Sequence, residues 1–142
     1  AASLMQMDAN KQKLVYPELS YKLLGVCFDV HTELGGKYQE KYYQRAVEIR
    51  LQELNIPYKK ELVVDLEFSG KKIGKYFLDF VIDGKIVLEL KAAPGFLRSD
   101  FRQVSAYLKA KNLKLGILIN FRGAKLTYKR ILNSEYKGAL HE

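Results

Sequence analysis

Apolar residues recur at three- and four-residue intervals through the first third of the chain. From Ser20 to Leu34, the residues Leu23, Leu24, Cys27, Phe28, His31 and Leu34 share one side of a helix, and Gly35-Gly36 supplies its stop. Tyr38 to Leu54 reads as a second helix, with Tyr43, Val47, Leu51 and Leu54 on one side and Arg45, Glu48 and Gln52 off it; Asn55 and Pro57 end it. The period then changes to two. Over residues 59–68, Leu62, Val64, Leu66 and Phe68 alternate with Glu61, Val63, Asp65 and Glu67, which predicts a strand, and Ser69-Gly70-Lys71-Lys72 is the turn after it. A second strand spans Ile73 to Ile82, Asp83-Gly84 marks a turn, and a third strand spans Ile86 to Lys91. After Pro94-Gly95, Ser99 or Asp100 caps a helix reaching Lys111. The apolar run Leu113 to Phe121 predicts a strand buried on both faces, and Lys125 to Leu132 a weaker final one. The order is helix, helix, three antiparallel strands, helix, buried strand, final strand. The helical crossover makes the last main pairing parallel, so the expectation is an α/β fold around a mixed sheet.

Composition narrows the function classes. With 142 residues the chain fits one domain, and 48% hydrophobic residues with ten Tyr and seven Phe supply a core. No apolar run approaches the roughly 20 residues that cross a bilayer, and the start lacks a signal peptide's apolar centre, so a cytoplasmic protein without a membrane partner is expected. One Cys and two His cannot build a disulfide scaffold or the usual zinc finger. Residues 1–6, ahead of Met7, read as an expression remnant. The domain organisation that follows is a tail over 1–18, a single domain over 19–132 and a second tail over 133–142.

Charge is distributed unevenly. The formal net charge is +8, and between Arg98 and Arg130 nine basic residues face one acid, Asp100, while the rest of the chain carries fifteen of each sign. All of the excess sits in that segment, which suggests a surface for a polyanion. The plainer alternative is a solvated basic face with no partner.

The informative polar residues are those a sheet should not tolerate. Asp79 interrupts Tyr76 to Ile82, and Glu89 and Lys91 interrupt Ile86 to Lys91. A lone buried charge costs several kcal/mol, so such groups survive when paired or bound to a cation. Period two puts Glu89 and Lys91 on one face. A two-residue loop, Asp83-Gly84, would set Asp79 opposite Leu88 on the wrong face; a three-residue loop, Asp83 to Lys85, pairs Ile82 with Ile86 and sets Asp79 opposite Glu89. The second register keeps the hydrophobic pairs matched and is the one expected. Two adjacent carboxylates repel, and Mg²⁺ or Mn²⁺ resolves the repulsion with oxygen ligands, while a neighbouring Lys orients a water and stabilises phosphate charge. An exposed ion pair on an edge strand is the structural alternative for Glu89 and Lys91.

Asp79, then nine intervening residues, then Glu89-Leu90-Lys91 resembles the D…ExK signature of the PD-(D/E)XK nuclease superfamily. Leu34 to Ala46 resembles the defining segment of the bacterial GxxExxY family, a branch of it, and Val87 to Ala92 and Gly116 to Phe121 resemble its later blocks. The resemblance covers about Leu19 to Leu132. It implies a restriction-endonuclease-like αβββαβ core, a mixed central sheet flanked by helices. It also implies Asp79 and Glu89 as metal ligands with the backbone carbonyl of Leu90, Lys91 beside the attacking water, and Glu40, three residues before Tyr43, reaching the metal directly or through water. Gln103 and Tyr107 resemble a QxxxY element that would contact the phosphate backbone, joined by Arg98, Arg102, Lys109 and Arg122 of the basic segment. Two departures stand: Lys37 occupies the first Gly of the GxxExxY pattern, with Gly36 displaced by one, and Leu78 stands where the superfamily has Pro. The implied function is hydrolysis of nucleic-acid phosphodiester bonds, DNA foremost, by a water activated by Mg²⁺ or Mn²⁺.

With one domain and no base-reading module, specificity would come from a homodimer, a partner protein or nucleic-acid structure. The alternative class is a catalytically silent nucleic-acid-binding or adaptor module with a nuclease fold. A hydrolase of a small phosphorylated ligand is a weaker third, since no nucleotide-specific motif is present. His31 and Cys27 are expected in the core, Tyr16, Tyr21, Tyr42 and Tyr58 in packing roles, and Gly35-Gly36 as a helix stop, because no P-loop spacing follows.

Overall fold

The computed structural model describes residues 15–138; the proposed expression remnant lies outside them. Helix α1 (Pro17–Leu34) starts earlier than the apolar repeat suggested, because Pro17 is favoured in a first turn and the Ser20 hydroxyl donates to the Val15 carbonyl at 3.0 Å. Gly35, at φ 78°, ends it as expected and donates its N–H to the His31 carbonyl. Helix α2 (Glu40–Glu53) follows, and strands β1 (Tyr58–Phe68) and β2 (Lys71–Ile82) form a long hairpin. Strand β3 (Ile86–Lys91), helix α3 (Arg98–Lys111), strand β4 (Leu115–Asn120) and strand β5 (Thr127–Leu132) complete the order.

Ser99 and Asp100 are not the N-cap of α3. That position is Leu97, and the Asp100 carboxylate, three residues on, reaches back to accept the Leu97 N–H at 2.8 Å.

The strands lie in the order β1-β2-β3-β4-β5, with β3 and β4 parallel and every other pair antiparallel. This is the mixed sheet read from the sequence. One face packs on α1 and α2 through Leu23, Cys27, Tyr43, Val47 and Leu51 against Ile86, Leu88, Leu90, Ile117 and Ile119. The other packs on α3 through Val104, Tyr107 and Leu108 against Leu78, Val81, Val87 and Leu118. His31 and Cys27 are buried as expected; His31 Nε2 lies 2.9 Å from the Gly123 carbonyl, and burial pushes the Cys27 thiol up to about 12.

Several apolar assignments need correction. Phe28, Leu54, Leu66 and Phe68 are exposed, as are Tyr21 and Tyr42. The distal half of the β1–β2 hairpin projects past both helical layers, so its alternation continues where no core remains to cover it. At the other end, residues expected as a tail are fastened down: the Asn133 N–H donates to the Lys114 carbonyl, and Asn112 and Lys137 exchange two hydrogen bonds.

The β2–β3 turn has the three-residue loop expected. Ile82 pairs with Ile86, Val81 with Val87 and Phe80 with Leu88, and Asp83 and Gly84 take φ of 52° and 63°.

Candidate active site

The next rung beyond Phe80 and Leu88 would join Asp79 to Glu89, and there the backbone ladder gives way to side chains. The Asp79 N–H donates to Glu89 Oε1 at 2.9 Å, and the Leu90 N–H donates to Asp79 Oδ2 at 2.8 Å. Alternation breaks at the same point: Phe80 packs toward α1 and α2, whereas Leu78, two residues away, packs toward α3. Asp79 therefore sits between the strands, holding them together while opening them.

Glu40, the first residue of α2, is brought alongside, with the Ala92 N–H as one partner. Gln44, one turn further on, donates to Glu40 Oε2 at 3.2 Å and to Asp79 Oδ1 at 2.7 Å. Lys91 Nζ lies 3.6 Å from Glu89 Oε2 and 3.6 Å from Asp100 Oδ1. Asp100 thus caps α3 and holds the lysine. Just beyond Lys91, the buried Asn120 side chain accepts from the Ala93 N–H at 3.2 Å and donates to the Ala93 carbonyl at 2.8 Å, fixing the chain as it leaves β3.

The electrostatics follow from this crowding. Burial, then the Asp79 charge, pushes Glu89 up to about 9. Burial also raises Asp79, although the Leu90 N–H, Glu89, Lys91 and Gln44 pull it back. Glu40 is raised by burial and by Asp79 and Asp100, against the pull of Lys91. Burial works to lower Lys91, but Glu89, Glu40, Asp100 and Asp79 together outweigh it, and its ammonium is held above the usual range.

Tyr43 serves the frame. It is fully buried, stacks on Phe121 at 4.4 Å between ring centroids, donates its hydroxyl to the Gly35 carbonyl at 2.5 Å and accepts the Tyr38 N–H at 3.1 Å. The entry to α2 is also anchored at Gly36, whose carbonyl accepts the Gly123 N–H at 3.2 Å. A Cβ on Gly36 would collide with the Gly123 backbone, so the displaced glycine is required there.

The sequence-predicted residues divide accordingly. Glu40, Asp79, Glu89, Leu90 and Lys91 are brought to one place. Arg98, Arg102, Lys109 and Arg122 are exposed, and Lys109 is engaged by Glu135 at 3.1 Å. Gln103 is half-buried on α3, and Tyr107 is buried in the core beneath it. Tyr107 borders a cleft of about 450 Å³ with Leu62, Val81 and Leu113. That cleft shares no residue with the cleft of about 310 Å³ beside Asp79, lined by Lys41, Gln44, Arg45, Glu48, Lys60 and Phe80. The cations lining the cleft beside Asp79 thus come from α2 and β1, outside the basic segment. Gln44, Asp100 and Asn120 were not singled out by the sequence. The one signal for Gln44 was its place four residues after Glu40.

A profile of the PD-(D/E)XK nuclease superfamily matches residues 17–131, spanning all three helices, the D…ExK strands and β4. The chain belongs to the PD-(D/E)XK nuclease superfamily. None of the curated proteins matches it. Among solved structures, "Crystal structure of SSO0001" is 24% identical with a TM-score of 0.51, over 66% of this chain and 50% of that one. This chain therefore spans half of that neighbour, and the likeness supports the restriction-endonuclease-like fold. As a PD-(D/E)XK protein, the chain keeps the order in which the signature acid of β2 precedes the E-x-K of β3, with Leu78, in place of Pro, fully committed to the core. No described helix is long and apolar enough to cross a membrane.

Proposed function

We propose that this PD-(D/E)XK protein is a metal-dependent nuclease of the GxxExxY branch, hydrolysing phosphodiester bonds of DNA. The observation that carries the reading is the pair of hydrogen bonds across the opened β2–β3 rung, Asp79 N–H to the Glu89 carboxylate and Leu90 N–H to the Asp79 carboxylate, with Lys91 3.6 Å from Glu89. Four acids, Glu40, Asp79, Glu89 and Asp100, against one ammonium is a poor structural device unless a further cation joins them.

The donor set suits a hard divalent ion. Every candidate ligand is an oxygen, and Mg²⁺ usually takes one or two carboxylates and keeps several waters. Among the described residues no group of three His, Cys, Asp or Glu is placed to hold a metal ion, so the reading is an open site with two carboxylates, Asp79 and Glu89, and the Leu90 carbonyl, Glu40 acting through water. A bound Mg²⁺ or Mn²⁺ supplies Lewis acidity and a more acidic water. The chain supplies the rest. Lys91, kept protonated by its acidic neighbours, orients the attacking water and offsets charge on the phosphate. Gln44 fixes one oxygen each of Glu40 and Asp79, and the Asp100–Lys91 contact holds the ammonium in place.

The test is cleavage of labelled single-stranded DNA, duplex DNA and RNA with Mg²⁺, Mn²⁺ or EDTA, comparing wild type with Asp79→Ala, Glu89→Ala and Lys91→Ala. Cleavage of DNA that needs metal and disappears in all three variants is expected. Full metal-dependent cutting by Asp79→Ala would sink the assignment.

A non-cutting adaptor has one observation in its favour: both Asp79 oxygens and Glu89 Oε1 already accept hydrogen bonds from the protein. Salt-dependent DNA binding with no metal uptake and no cutting would favour it.

A further inference from the structure

Beside Glu40 the surface changes character. Tyr38 and Tyr42, either side of it in sequence, are 51% and 41% exposed, and their rings meet edge to face at 6.1 Å. They end a series that begins in the core: Phe121 stacks on Tyr43, and Tyr43 meets Tyr38 edge to face at 6.3 Å. Tyr38 is held there because the Tyr43 hydroxyl accepts its N–H. Lys41 Nζ and Arg45 Cζ lie 5.2 Å and 5.7 Å from the Tyr42 ring centre. Both cations are exposed, neither forms an ion pair among the described residues, and both also line the cleft that reaches Asp79.

An exposed aromatic pair is costly to leave in water, and two cations flanking it do not make it a protein core. The combination matches what unpaired nucleic acid requires: a π face for a base and ammonium or guanidinium groups for the adjoining phosphates. A base within a duplex is already stacked on both sides and cannot use such a face.

The geometry points to Tyr38 and Tyr42 as a stacking platform for an unpaired base of the substrate, with Lys41 and Arg45 leading the neighbouring phosphates toward Asp79. The substrate class is single-stranded DNA, or the single-stranded segment of a branched one. This inference rests on the nuclease reading for its placement of the scissile phosphate, but not on turnover for its test.

Binding is followed in EDTA, so that no strand is cut, with single-stranded DNA carrying 2-aminopurine, the same strand annealed to its complement, and RNA of the same sequence. Wild type is expected to quench 2-aminopurine in the single strand and to prefer it over duplex. Tyr42→Ala should weaken that binding about tenfold and abolish the quench, as loss of one stacked base does, while Tyr42→Phe keeps both. Lys41→Ala and Arg45→Ala should each reduce the salt dependence by roughly one phosphate contact. Equal binding of duplex and single strand, full quenching by Tyr42→Ala, or binding of RNA alone overturns the inference. Metal-dependent cleavage of duplex DNA that is indifferent to Tyr42 overturns it and leaves the nuclease reading intact; failure to bind any nucleic acid removes both.

Discussion

Gln44 touches two of the site's acids at once, which gives a neutral side chain unusual control over a charged site. It donates to Glu40 and Asp79 without adding charge of its own. Removing it leaves each carboxylate with one fewer orienting contact, so Gln44→Ala should lower metal affinity or cleavage rate about 10–100-fold, the range for groups that orient ligands. Gln44→Glu should be worse, because a further acid replaces the donor. Titration with Mn²⁺ read by thermal shift, beside initial cleavage rates, checks both variants. Glu89 sets the pH dependence. Its folded value of about 9 lies above its ordinary 4.5, so the fold holds a proton that the unfolded chain releases. Its contribution to stability is therefore present below pH 4.5 and declines as pH rises toward 9. Melting temperature in EDTA should fall across that window, the fall should shrink in Glu89→Gln, and the increment from Mn²⁺ should grow with pH as the carboxylate is freed to bind. Glu89, Lys91 and Asp79 were legible in the sequence because a charge inside an apolar strand has no structural reason to be there. Gln44 and Asp100 were not, since a polar residue on an amphipathic helix is the ordinary case. Asn120 fell between the two: it is polar in an apolar run, but at the run's end, where a strand is expected to stop.

The β1–β2 hairpin is longer than the core beneath it. Leu78 is 1% exposed and Phe68 is 70% exposed, though both are apolar residues of the same ribbon. Leu78→Ala should cost about 2–5 kcal/mol, whereas Phe68→Ala should stay within about 0.5 kcal/mol; urea unfolding midpoints separate the two. Element type and order were readable from period alone, down to the Ile82–Ile86 register, because matched apolar pairs and a turn of fixed length leave few alternatives. The reach of the core along a strand is a property of the partner layer and leaves no mark on the strand itself, which is why Leu66 and Phe68 read as one face with Leu62 and Val64. The break in alternation at Asp79 was hidden for another reason. It is made by a carboxylate accepting a backbone N–H across the strands, a tertiary event.

At the scale of the molecule, the sheet divides two cores and gathers the acids at one end, while the basic residues spread over α3 and the strands beyond it. The sequence located the charge excess of residues 98–130, but could not show that Lys41 and Arg45, from the charge-balanced part, line the cleft beside Asp79. Binding to single-stranded DNA should weaken with a slope of about −0.7 in log affinity against log salt per phosphate neutralised, and Arg98→Ala with Arg102→Ala should flatten it by up to about 1.4; anisotropy at several salt concentrations measures it. The junction of Gly36 with Gly123 reaches further. His31 and Gly123, which meet there, are 92 positions apart, and the Gly36 contact steadies the turn from which Glu40 projects. A polypeptide growing from its N-terminus therefore carries all four signature side chains before it carries the loop that seats the first of them. Seating of the candidate site is therefore a property of the whole domain, not of the segment that carries its side chains.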